Sequence, residues 1–154
     1  MFRGNHPAKI DDKGRLKLPA AFNAQLEVSH IADFYVTSED GKSAQIWPIQ
    51  TWEAREKVLA RNSMKKEVRK YTNITSYFGQ EARVDTQSRL VLPQILRSKA
   101  ALDSEVVVFG KMDYLEVVNR EVFERSLTEN VLTDEDREAL ATILDAQPAP
   151  QAED

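Results

Sequence analysis

The stretch Ala8-Lys9-Ile10-Asp11-Asp12-Lys13-Gly14-Arg15-Leu16-Lys17-Leu18-Pro19 decides the fold, because the chain contains it twice. Ala82-Arg83-Val84-Asp85-Thr86-Gln87-Ser88-Arg89-Leu90-Val91-Leu92-Pro93 aligns with it without a gap, at an offset of 74 residues. The Ala, Asp, Arg, both Leu and the Pro are identical, while Lys9/Arg83 and Ile10/Val84 keep charge and shape. A fixed-offset repeat makes each copy one structural unit. In both copies the leucines fall two apart, on one face of a β-strand. Asp12-Lys13-Gly14 is a turn signal, with Gly14 free to take positive φ. Thr86-Gln87-Ser88 stands there in the second copy, and the missing glycine leaves the shape of that turn open. Pro19 and Pro93 end the strand and suit the first position of a following helix.

The similarity continues more weakly downstream. Phe34-Tyr35-Val36 corresponds to Val106-Val107-Val108, Ile46-Trp47 to Val117-Val118, and Pro48–Trp52 to Asn119–Phe123. Glu39-Asp40-Gly41-Lys42 and Gly110-Lys111-Met112-Asp113 read as hairpin loops. Each unit therefore predicts strand, turn, strand, short helix, strand, turn, strand, helix. Pro48 opens a helix with Ile49, Trp52 and Leu59 on one face, and Val122, Phe123 and Leu127 are expected to do the same work in the second copy. One long helix is expected from Ala54 to about Tyr71. It carries seven basic residues against Glu56 and Glu67, and reads as a solvated or subunit-facing helix. Thr133 is an expected N-cap, followed by Asp134, Glu135 and Asp136 where the helix dipole favours acids. Leu140, Ile143 and Leu144 form a narrow apolar face. The expected organisation is repeat 1 over 1–53, a basic connecting helix over 54–77, repeat 2 over 78–127, a C-terminal helix over 128–146 and a disordered tail over 147–154.

At 154 residues and 42% hydrophobic content the chain can bury a core. It has no apolar run of membrane-spanning length, about 18 residues or more. Met1-Phe2-Arg3-Gly4-Asn5 lacks the apolar segment of a signal peptide, so a soluble, cytoplasmic protein is expected. With no cysteine, disulfides and thiolate chemistry are excluded. The net charge of −4 argues against a nucleic-acid partner until its distribution is considered. Residues 127–154 hold eight acids and one base, a net of −7, which leaves +3 on residues 1–126. Local patches, not whole-chain charge, set the field a polyanion meets.

An arginine can grip a guanine edge or a phosphate with two parallel hydrogen bonds. An aspartate four residues away across a tight turn would hold that guanidinium in one orientation. Spacing alone leaves a second reading equally open, in which Asp11–Arg15 and Asp85–Arg89 only stabilise their turns. Arg3, Lys9, Lys13 and Lys17 surround the first motif, and Arg83 and Arg97 flank the second. Singly each reads as a solvated side chain; together they can supply sequence-independent phosphate contacts. His6 and His30, the only histidines, show no ligand or nucleophile spacing. No glycine loop is built to cradle a phosphate. No enzyme, cofactor or metal is expected. Trp47 and Trp52 read as core or interface anchors.

Met1-Phe2-Arg3-Gly4, Asp11-x-x-Gly14-Arg15-Leu16-x-Leu18-Pro19, Phe78 and Asp85-x-x-x-Arg89-Leu90-x-Leu92-Pro93 resemble the MraZ family of bacterial transcriptional regulators. The resemblance covers about residues 1–127. It implies a mainly β, α+β fold: two SpoVT-AbrB swapped-hairpin repeats forming a pseudo-dimer within one chain, with subunits assembling into a homo-oligomeric ring. It also implies binding to short direct repeats of double-stranded DNA upstream of the division and cell-wall gene cluster, usually as a repressor, hence nucleoid association. Carried onto this chain, Arg15 and Arg89 become the DNA contacts, and Asp11, Asp85 and Gly14 support them. Arg3, Lys9, Lys13, Lys17 and Arg83 are the accompanying cations. Ser88 departs from the family's glycine. Because the first copy keeps its glycine and holds more lysines, Arg15 is expected to outrank Arg89. The alternative function is a ring-forming protein-interaction module, suggested by the acidic C-terminal segment and its apolar faces.

Overall fold

The computed structural model describes residues 1–146; the tail expected over 147–154 lies outside them. Its elements, in chain order, are β1 (Asn5–Lys9), β2 (Arg15–Lys17), α1 (Ala20–Val28), β3 (Asp33–Thr37), β4 (Ala44–Pro48), α2 (Ile49–Arg61) and α3 (Lys66–Tyr77). There follow β5 (Gln80–Arg83), β6 (Arg89–Val91), α4 (Gln94–Lys99), β7 (Glu105–Gly110), β8 (Leu115–Asn119), α5 (Arg120–Glu129) and α6 (Asp134–Asp145). Both repeats have the strand and helix order expected from their shared pattern.

Strand pairing crosses between the repeats. A six-stranded antiparallel sheet runs β1-β7-β8-β4-β3-β5. The first strand of each repeat therefore pairs with the third strand of the other: β1 lies on β7, and β5 lies on β3. The short motif strands β2 and β6 pair with each other in a separate two-stranded sheet. This exchange is the swapped-hairpin pseudo-dimer, formed within one chain. It also explains why Met1–Val122, which holds both repeats' strands, is one compact unit. Neither repeat closes a sheet alone.

The core follows from the two-residue period. Leu16, Leu18, Leu90 and Leu92 are fully or almost fully buried, with Phe34, Val36, Ile46, Val106, Val108 and Val117 from the large sheet. Burying such side chains contributes roughly 1.5–3 kcal/mol each. Pro19, Pro48 and Pro93 stand at the N-cap of α1, α2 and α4, one position earlier than expected. There a missing N–H costs nothing and the extended ψ turns the chain into the helix.

The single helix expected over 54–71 is instead two, α2 and α3, broken at 62–65. Asn62 ends the first: its side-chain amide donates to the Val58 carbonyl, while its own carbonyl accepts from the Lys65 N–H. Short polar side chains of this kind compete for helix hydrogen bonds. The reversal brings Tyr71 of α3 back to Trp52 and Arg55 of α2, where Arg55 Nε donates to Tyr71 Oη at 2.9 Å. Trp52 is buried as expected, but Val122 and Leu127 in the second copy are 51% and 55% exposed. In the second unit, α6 begins with the expected Thr133 cap, closed reciprocally by Asp136. Leu140, Ile143 and Leu144 on it are exposed. No helix among the described residues is long and apolar enough to cross a membrane.

Candidate nucleic-acid interface

The two Asp-x-x-x-Arg turns are built alike. In the first, the Asp11 N–H donates to the Arg15 carbonyl and the Gly14 N–H to the Asp11 carbonyl, both at 3.0 Å. Asp11 Oδ1 accepts from the Lys13 and Arg15 N–H groups at 3.0 and 2.9 Å, and Oδ2 accepts from Arg15 Nε at 2.7 Å. In the second, Asp85 Oδ1 accepts from the Gln87 and Arg89 N–H groups at 2.8 and 2.9 Å, and Oδ2 accepts from Arg89 Nε at 2.9 Å. Ser88 reproduces the glycine conformation, with φ 60° against 79° at Gly14. The departure from glycine thus changes the strain and not the shape of the turn. A left-handed φ costs an ordinary L-residue about 1–2 kcal/mol.

These bonds all favour the ionised carboxylates. Asp11 is held below the ordinary value of 3.8, chiefly by the Arg15 backbone N–H and then by the Arg15 side chain. Asp85 is lowered in the same way, led by the Arg89 backbone N–H. Each aspartate therefore fixes the Nε edge of its arginine and leaves the two Nη groups to donate elsewhere.

Pairing of β2 with β6 places the turns side by side. Leu16 faces Leu90 across the ribbon, Arg15 faces Val91, and Lys17 faces Arg89. The leucines point to the core, so alternation sets Arg15, Lys17, Arg89 and Val91 on the opposite face. Arg15 and Arg89 are diagonal neighbours, at about 7–8 Å in such a ladder. Two further bonds lock the turns across the repeats. The Leu18 N–H donates to the Ser88 carbonyl at 2.9 Å, and the Leu92 N–H to the Gly14 carbonyl at 3.0 Å.

The other expected cations are distributed unequally. Lys13 lies in the first turn and is exposed. Lys9 and Arg83 sit in the large sheet with an acid as cross-strand neighbour, Glu105 and Asp33 respectively. Arg83 Nε stands 3.8 Å from Asp33 Oδ1. Arg3 precedes β1, beside Gly110 at the β7–β8 hairpin. It is separated from the Asp11 turn by the whole of β1, on the order of 15 Å of strand. Arg15, Lys17 and Arg89 thus share the ribbon, with Lys13 in its turn, whereas Arg3 stands at the other end of β1.

Arg97, noted in the sequence only as a flank of the second motif, stands over the first. Its Nε donates to the Leu92 carbonyl at 3.0 Å. A Cβ built on Gly14 would lie 2.6 Å from that Nε and 2.7 Å from Nη2. Linear spacing hides this contact, because it is made between repeats. Its only sequence signal is that a glycine and an arginine occupy positions where the other copy has Ser88 and Asn23.

His6 lies edge-on to Phe22, with ring centroids 5.1 Å apart. Trp47 and Trp52 are buried, and Trp47 stacks on Tyr114. Among the described residues no group of three or more His, Cys, Asp or Glu is placed to hold a metal.

A pseudo-dimer of swapped hairpins presenting a paired-motif ribbon defines a protein of the SpoVT-AbrB class with both halves in one chain. Comparison with known families matches residues 1–73 and 79–143 to the family described as "MraZ protein, putative antitoxin-like". The transcriptional regulator MraZ of Acidobacterium capsulatum is 46% identical, over 92% of this chain and 97% of its own length. That of Koribacter versatilis is 41% identical, over 93% and 99%. That of Moorella thermoacetica is 34% identical, over 92% and 94%. The chain belongs to the MraZ family. Membership sets it among transcriptional regulators rather than enzymes.

Proposed function

We propose that this chain is a sequence-specific DNA-binding regulator, a repressor of its own division and cell-wall gene cluster, acting in the cytoplasm at the nucleoid. The observation that carries the reading is the β2–β6 ribbon, which holds Arg15, Lys17 and Arg89 together on its outward face. A two-stranded ribbon fits the DNA major groove, and arginine is the side chain best matched to guanine N7 and O6. Asp11 and Asp85 orient the arginines by gripping Nε and do not themselves meet DNA, since their charge repels phosphate. Lys13 and Lys17 serve as phosphate contacts. Lys9 and Arg83, each beside an acid, add less, and Arg3 acts outside the ribbon. Several subunits in a ring engage successive direct repeats, so weak single sites sum through effective concentration.

The test is a gel-shift titration on the protein's own upstream region. Arg15→Ala is expected to weaken specific binding by about 1–3 kcal/mol per site. Unchanged affinity of folded, correctly assembled Arg15→Ala protein would sink the reading. The exposed Leu140, Ile143 and Leu144 on α6 favour a second function, protein interaction through the C-terminal helix. Salt separates the two, because phosphate-driven binding falls steeply with salt and apolar contact does not.

A further inference from the structure

We propose that Arg97 is a positioning residue that clamps the Arg15 turn from the opposite repeat and makes the two DNA-facing loops functionally unequal. This rests on the ribbon being the DNA-binding face. The clamp is a short chain of contacts. Gly14 offers its carbonyl to the Leu92 N–H, Leu92 offers its carbonyl to Arg97 Nε, and the Arg97 guanidinium lies on the bare α-carbon of Gly14. Gly14 is followed directly by Arg15, whose backbone N–H and Nε are both held by Asp11. Arg97 therefore holds the turn at Gly14, directly before the arginine that Asp11 holds. A fixed turn lets Arg15 meet a base edge without ordering the loop at the moment of binding.

The pseudo-symmetric position does not hold an arginine. Offset by 74 residues, Arg97 corresponds to Asn23, whose amide instead donates to Glu27 Oε1 at 3.2 Å. Ser88 stands in place of Gly14, and its Cβ occupies the space that a guanidinium would need. Glycine with arginine in one pair, serine with asparagine in the other, are matched sets. Arg97 lies on the first turn from the other repeat, whereas its counterpart Asn23 is hydrogen-bonded within its own helix.

The experiment is a double-mutant cycle on the full-length protein, with affinity for its own upstream duplex read by fluorescence anisotropy at several salt concentrations. Arg97→Ala is expected to weaken binding about tenfold, within the range of roughly 5- to 150-fold for one arginine–guanine pair. Arg97→Lys should not rescue, because an ammonium lacks the planar fork. Combined with Arg15→Ala, Arg97→Ala should change affinity less than about twofold. Combined with Arg89→Ala it should keep its full effect. Arg97→Met retains the aliphatic stem and guards against a variant that fails to fold. Equal effects in both backgrounds would overturn the proposal. So would rescue by lysine together with a salt slope shallower by about one in Arg97→Ala, which marks a plain phosphate contact. If Arg15→Ala itself leaves affinity intact, the DNA reading falls first. If Arg15→Ala weakens binding but the cycle is additive, only the clamp is wrong.

Discussion

The turns Asp11–Arg15 and Asp85–Arg89 share every hydrogen bond that defines them, yet they sit in different surroundings. Both aspartates take two backbone N–H groups on one oxygen and the arginine Nε on the other. The first turn has glycine at its left-handed position and Arg97 above it, and the second has serine there at φ 60°. The flanking charges are exchanged as well. Lys17, from the first copy, stands across from Arg89, while Arg15 stands across from Val91. Five residues of motif are thus enough to specify a turn, but its neighbours are supplied by the other repeat. Lysine density along the chain is a poor guide to which arginine gains cationic support, because strand exchange hands that lysine to the other motif.

The comparison breaks or sharpens most visibly in the core. Leu16 and Leu90 are both fully buried and face each other. Leu16→Ala and Leu90→Ala should each cost about 2–5 kcal/mol, lowering the melting temperature by roughly 2–4 °C per kcal/mol. Similar losses in thermal denaturation mean the halves are energetically equivalent, and a gap of more than about twofold would show that one repeat dominates stability.

Substitution at the left-handed position should separate the turns. Gly14→Ala adds a Cβ at φ 79° and drives it into Arg97. Its cost is expected at about 1–2 kcal/mol from the backbone alone, with Arg97 displaced in addition. Ser88→Gly relieves that backbone cost of about 1–2 kcal/mol but loosens the unfolded chain by about 0.4–1 kcal/mol, so it should be neutral to stabilising by up to about 1.5 kcal/mol. Chemical denaturation of both variants decides the matter, and a large loss from Ser88→Gly would mean that the serine side chain does something essential.

Acid should show the smallest effect, and the same one in both turns. Asp11 and Asp85 have folded-state values lowered below 3.8, so their contribution is fully present above that value and is lost as pH falls through the lower folded value. Denaturation from pH 2 to 7 should show Asp11→Asn and Asp85→Asn flattening the acid limb to similar extents. An acid limb identical to wild type in either variant would show that the corresponding aspartate gains nothing from its turn.

Much of the site was legible in the sequence for a physical reason. Alternating leucines, prolines ahead of helices and the Asp-to-Arg spacing are local signals, and each element obeyed them. The resemblance to a known family, rather than any periodicity, supplied the strand exchange. Besides the Arg97 contact and the exposure of Val122 and Leu127, three features escaped. The break at 62–65 turns on Asn62 and on the Tyr71–Arg55–Trp52 contact, and a run of helix formers does not reveal it. Ser88 adopts the glycine conformation because the Asp85 hydrogen bonds and the Leu18 N–H hold the turn around it. Arg3 is near the first motif by number and stands at the far end of β1 from it.

What the sequence by itself determined is the pair of units, the order of strands and helices in each, the leucine face of the ribbon and the Asp-to-Arg spacing of both turns. All of these depend on residues within a few positions of one another. Only the tertiary structure decided that β2 meets β6, that Lys17 stands beside Arg89, and that Arg97 covers Gly14. Those pairings join residues about seventy or more positions apart. Two nearly identical motif strands offer similar edges to either partner, so packing of the whole sheet, and not local pattern, selects between them.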